Sequence, residues 1–155
     1  MTNKNEKRKD EIATEMAVYF NEKVKTSKLA EWVSTTVQCC IDFQANKKPD
    51  NNPITFLHTI GWNILPGLID SETQQERITV LKRELIRLYS YDLYEGSKAY
   101  LHELNCCYLR QVEKYDFDDG DKVYQHMNIY GTLLCILEIY KEYDTLERSL
   151  EQVAV

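Results

Sequence analysis

The last third of the chain, Asp121 to Val153, restricts the possible folds more than any other stretch. The run Ile129–Tyr130–Gly131–Thr132–Leu133–Leu134–Cys135–Ile136–Leu137 is apolar on nearly all sides and contains no proline. A helix of that composition has little to offer water and belongs inside a protein. It passes without a break into a thinner stripe, Ile139, Tyr143, Leu146, Leu150 and Val153, spaced 4-3-4-3. A narrow seam at heptad-like spacing fits one partner surface. The spacing therefore predicts a long C-terminal helix that changes from core element to docking element along its length. Two surfaces could receive the seam: another molecule, or the first helix of the same chain.

Length and composition agree with a helical domain. A chain of 155 residues is one domain's worth. At that size a compact domain buries roughly 70% of its unfolded surface, so no metal or disulfide is needed for folding. Five glycines and three prolines supply too few turns for an all-β fold. The expected fold is all-α: a single-domain bundle over residues 1–155, of about five to seven helices, with residues 1–8 frayed. Five cysteines without a polar-then-apolar leader pattern point to reduced thiols and a cytoplasmic setting. The longest apolar tract, Ile54 to Ile69, is broken by His58, Asn63, Pro66 and two glycines and is too short to span a bilayer.

Periodicity places the elements. Ile12, Met16, Tyr19/Phe20 and Val24 mark a first helix over about Asn5 to Val24. Thr26–Ser27 offers a break, and a second helix follows over about Lys28 to Ala45, with Leu29, Val33, Val37 and Cys40/Ile41 on one face. Residues 46–52 (NKKPDNN) read as a loop. Asn52–Pro53 starts a short third helix that should stop before Pro66–Gly67, because a residue preceding proline is pushed toward extended geometry. Ser71 with Gln74 forms a capping box for a fourth helix, whose inner face is Ile78, Leu81, Leu85 and Leu88/Tyr89. Asp92 with Glu95 marks either a new helix start or a continuation into a helix ending near Lys114. Asp116 to Asp121 is an acidic turn, with Asp121 as cap of the final helix. That helix either runs on or breaks at Asp144.

No catalytic signature emerges. His102–Glu103–Leu104–Asn105–Cys106 places Cys where a zincin has its second His, and two ligands do not make a site. Further ligands would have to come from Cys39, Cys40, His58 or His126. The pairs Cys39–Cys40 and Cys106–Cys107 lie on predicted helices, where adjacent side chains diverge, so they read as core packing. The acidic turn fails as a calcium loop: counted from Asp116 its Gly sits at position five, and Met127 stands where the bidentate Glu belongs. No Glu precedes a His by three residues, which excludes a di-iron bundle pattern. P-loop, Rossmann and nucleophile-elbow patterns are absent, as is the Arg-then-His pattern of helical HEPN ribonucleases. Lys28 to Val37 resembles the first helix and turn of a helix-turn-helix, but it lacks a glycine-type turn residue.

Charge and tyrosine distribution point to binding. Residues 1–50 carry nine Lys/Arg and eight Asp/Glu; residues 51–155 carry ten and seventeen, within a total of −6. An acidic chain disfavours nucleic acid as partner. Ten of the eleven tyrosines lie between Tyr89 and Tyr143. Tyr91, Tyr94, Tyr115 and Tyr143 fall at helix ends or on the seam, where an aromatic with a polar tip suits an interface. The sequence is therefore read as a small helical protein-binding module of the adaptor, regulator, inhibitor or immunity type, without cofactor, metal or catalytic residue. Its expected interface is Ile139, Tyr143, Leu146, Leu150 and Val153, used toward a basic protein partner or a second copy in a homodimer. The alternatives are a metal-assisted enzyme around His102 and Cys106 and a DNA-binding regulator.

Overall fold

The computed structural model describes residues 2–44, 52–91, 93–111 and 120–153, and among these there is no strand. The elements are α1 (Thr2–Lys23), α2 (Thr26–Gln44), α3 (Asn52–Thr59), a π-helical turn (Ile60–Ile64), α4 (Leu65–Asp70), α5 (Gln74–Ser90), α6 (Leu93–Gln111) and α7 (Gly120–Val153). The fold is the expected all-α bundle with a long final helix. α7 runs through Asp144 without a break. Its backbone already begins at Gly120, so Asp121 lies inside the first turn. The loop at residues 46–51 and the acidic turn at 116–119 lie outside the described residues, as do Asp92 and Tyr115.

The predicted stripes form the core. Ile12, Met16 and Phe20 of α1, and Val24 just past its end, are buried together with Leu81, Leu85 and Tyr89 of α5 and with Ile129, Leu133, Ile136, Leu137 and Tyr140 of α7. α7 touches α1, α2, α5 and α6, and α1 packs chiefly on α7 and α5. The α7 run is more one-sided than its composition suggests: Cys135 is exposed and Leu134 is half-buried. Polar side chains tie the ends. Arg77 donates to Asn21 Oδ1 and Thr26 Oγ1, both at 2.8 Å, joining α5 to the α1–α2 turn. Tyr89, fully buried, donates from its hydroxyl to the Leu133 carbonyl at 2.8 Å, which satisfies a polar atom that would otherwise be costly to bury.

Three boundaries differ from expectation. The third helix does not stop before Pro66. Leu65 is helical (φ −58°, ψ −48°) and its N–H reaches back to the Ile60 carbonyl, a π-type bond. A proline in a regular helix strikes the carbonyl four residues back. The wider turn ends at Ile64, and Pro66 falls in the first turn of α4, where its missing N–H leaves no intrahelical bond unmade. The cap of α5 is Thr73 instead of Ser71: Thr73 Oγ1 accepts from Glu76 N–H (3.1 Å), and the Glu76 carboxylate accepts from Glu72 N–H (2.6 Å). Ser71 closes α4, donating from Oγ to the Gly67 carbonyl. α5 and α6 are separate helices, with Leu93 at φ 61°, a left-handed conformation that strains a residue bearing a Cβ.

Two glycines in these helices carry opposite expectations. A Cβ on Gly67 would lie 2.6 Å from Val80 Cγ1. Valine has little rotamer freedom to yield, so Gly67→Ala should push α4 off α5 and cost about 1–3 kcal/mol. A Cβ on Gly131 would meet nothing within 4 Å, so Gly131→Ala should add about 1 kcal/mol of helix stability. Urea unfolding of both variants checks the pair; shifts of the same sign would contradict this packing.

Candidate partner-binding surface

The C-terminal seam lies along α1. The two helices are antiparallel, with Asn128 Nδ2 donating to the Lys23 carbonyl at one end and Arg8 holding Glu142 toward the other. Arg8 donates from Nε and Nη2 to the two Glu142 oxygens at 2.6 and 2.8 Å. Its guanidinium holds the Glu142 carboxyl below the usual carboxylate range. Lys9 is largely buried; it sits 5.1 Å above the Tyr143 ring and pairs with Glu147. Burial opposes the Lys9 charge, but the Glu147 carboxylate and the Tyr143 oxygen outweigh it and raise the lysine's pKa. The helix begins at Thr2, within the stretch expected to fray, because these pairs hold Arg8 and Lys9 to α7. Ile139, Tyr143 and Leu146 are half-buried against the core. The side chains of Leu150 and Val153 lie outside the described residues.

A second apolar surface is exposed, with nothing among the described residues across it. Ile60, Ile64 and Leu68 recur every four residues and face the core, fully or almost fully buried. Their opposite side carries Trp62, 71% exposed, then exposed Pro66, then Ile69, 67% exposed. Trp62 sits in the π turn that precedes Pro66, and its indole stacks on His58 with ring centroids 4.6 Å apart and planes at 26°. Past Ile69 the surface turns acidic with exposed Asp70, Glu72 and Glu76, two of which border a groove between α4 and α5. The sequence reading missed Trp62. It took 54–69 as one apolar tract, whereas the four-residue recurrence of Ile60, Ile64 and Leu68 already leaves Trp62 outside. Of the tyrosines expected at an interface, Tyr91 is 82% exposed, Tyr94 is buried with its hydroxyl donating to Glu138 (2.6 Å), and Tyr143 lies on α1.

Of the candidate chemical groups, His126 and three of the cysteines are packed in the core. His126 is fully buried. Trp32 Nε1–H, which can only donate, lies 2.9 Å from His126 Nδ1, and His126 Nε2 is 2.8 Å from Asn105 Oδ1. The ring is therefore neutral with its proton on Nε2, donating to Asn105. It stacks on Tyr108 (3.7 Å between centroids) and Tyr130 (5.7 Å). Burial pushes its pKa down to about 4. With both nitrogens occupied and no solvent access, His126 is a structural link between α2, α6 and α7. Cys39, Cys40 and Cys107 are buried. Burial pushes the Cys39 thiol up to about 11, and a thiol hydrogen bond with Cys107, together with burial, raises Cys40, so neither offers a thiolate. His102 Nε2 and Cys106 Sγ face one another at 3.7 Å; among the described residues no third His, Cys, Asp or Glu joins a possible metal cluster. The segment resembling a helix-turn-helix is one uninterrupted helix, α2.

Comparison with family models, with curated proteins and with solved structures returns no match. Among the described residues no helix is long and apolar enough to cross a membrane.

Proposed function

We propose that this chain is a protein-binding module that acts by occupying a partner's surface, and that Trp62 anchors the contact. One observation carries the reading: an indole left 71% exposed on a π turn, continued by Pro66 and Ile69 and ending in an acidic rim. Tryptophan, with tyrosine and arginine, is enriched among the few residues that carry most of an interface's energy, and π turns recur at functional sites. The rim selects a partner with an apolar anchor followed by lysine or arginine, since complementary charge speeds encounter and rejects wrong partners.

Trp62→Ala should weaken partner binding by a factor of roughly 30 or more, the usual cost of truncating an interface anchor. Because Trp62 is exposed, the melting temperature should be unchanged. The partner retained by the wild-type chain should also shift Trp62 fluorescence to shorter wavelength, since the other tryptophan, Trp32, is already buried. Retention that is indifferent to Trp62→Ala and to Ile69→Asp would overturn this surface. A concentration-dependent dimer abolished by the same variants would identify the partner as a second copy.

A further inference from the structure

The α1–α2 corner concentrates positive charge in an acidic protein. Lys23 ends α1, Lys25 lies in the connection, and Lys28 stands in the first turn of α2, which contains no acidic residue. The start of a helix is already electropositive and ordinarily takes an acid; here it has lysine. Arg8, Lys9, Lys82 and Arg148 each pair with a carboxylate. Among the described residues no carboxylate lies within ion-pair distance of Lys23, Lys25 or Lys28, and all three are exposed.

These amines border a half-open cavity of about 290 Å³ between the corner and α7. Its walls are fixed. Gln125 Nε2 donates to the Lys28 carbonyl (2.6 Å) and Asn128 Nδ2 donates to the Lys23 carbonyl (2.9 Å). Each amide keeps a carbonyl oxygen as an acceptor. The apolar lining comes from Val24 and Ile129, and Tyr124, 76% exposed, stands at the edge. Among the described residues no acidic side chain lines the cavity.

We propose that this cavity binds a nucleoside phosphate. The lysines supply charge for the phosphates, Tyr124 offers a π-face to the base, and the Gln125 and Asn128 oxygens can accept from the base or ribose. The volume lies at the small end of ligand pockets, which run from roughly 300 to 1,000 Å³, and suits a mononucleotide. The site shares no residue with the Trp62 surface and stands independently of it.

Titration calorimetry on the full chain with ADP, GDP and UDP, set beside adenosine and inorganic pyrophosphate, tests this. A nucleoside diphosphate should bind at one per chain, tighter than pyrophosphate or adenosine alone. Lys25→Glu with Lys28→Glu should weaken it by about tenfold or more, at an unchanged melting temperature, through lost charge-assisted contacts. Tyr124→Ala should weaken the nucleotide and leave pyrophosphate untouched. Absence of binding by all three diphosphates at millimolar concentration overturns the proposal, as does binding indifferent to the lysines. Pyrophosphate binding equal to that of ADP would reduce the cavity to a plain anion site and overturn the nucleoside assignment. Affinity for single-stranded RNA that grows with its length would transfer the surface to nucleic acid.

Discussion

Acidification from pH 7 to pH 4.5 should cost the protein a few kcal/mol of stability through His126 alone. The folded ring is neutral because burial disfavours its charged form. The hydrogen bonds act in the same direction: protonating Nδ1 would set its N–H against the Trp32 N–H that now donates to it. In the unfolded chain the imidazole takes a proton near 6.5, whereas in the fold it does so only near 4. Between those values the unfolded state binds more protons, so stability is complete above about pH 6.5 and falls as pH drops toward 4. At 1.36 kcal/mol per decade the ceiling is roughly 3 kcal/mol. Urea unfolding at pH 7, 6, 5 and 4.5 measures it. The Glu142 carboxyl, whose pKa the fold lowers from an ordinary 4.5, contributes mainly below that range. His126→Gln keeps a donor and an acceptor without a titrating group. It should be less stable at pH 7 through lost stacking on Tyr108 and Tyr130, and its stability should be nearly flat across the same pH range. Equal pH slopes for wild type and variant would remove His126 from this role.

That network illustrates what the sequence could not disclose. Trp32, Asn105 and His126 stand on three helices, and no local pattern says that they meet. The stripes of α1 and α5 were legible because an amphipathic helix buried on one side must repeat its apolar residues at helical spacing. Helix α7 was legible as a long element for the same reason. Pro66 was misread because the pre-proline rule is local, while the remedy, a π-type bond from Leu65 to Ile60, lies outside that rule. Ser71 and Thr73 are both capable caps; Ser71 is used to close α4, and the second caps α5. Tyr94 looked like an interface residue at a helix end, yet its hydroxyl finds Glu138 one helix away and the ring goes inward. Of the candidate surfaces, Trp62 was readable in principle, since the residues at 60, 64 and 68 define its opposite face. The lysine corner was readable only as charge, because the cavity needs α7 to close it.

Leu146→Asp should cost about 2–4 kcal/mol, comparable with losing a buried leucine or burying a poorly paired charge. Leu146 is half-buried against the core in the stretch of α7 that runs beside α1. A carboxylate there would join Asp144 and Glu147, of which the first is buried and already uses Arg148 at 3.2 Å. The second is the partner of Lys9. The new charge would compete for Lys9 and leave one acid without a cation. The first half of α1 should therefore loosen before the rest of the bundle. Hydrogen exchange should report lost protection over α1 upstream of Ile12, while the α5–α6 amides stay slow, since those helices reach the core through Tyr89, Leu101 and Leu104. Ile69→Asp is the matching control: equally apolar but 67% exposed, it should leave stability within about 0.5 kcal/mol. If Leu146→Asp instead leaves stability and α1 protection intact while changing oligomeric state, the seam is an intermolecular surface and α1 is only a loose cover. If it unfolds α1 as expected, the heptad-like spacing of the C-terminal stripe is explained within the chain. Its one partner surface is then the N-terminal helix.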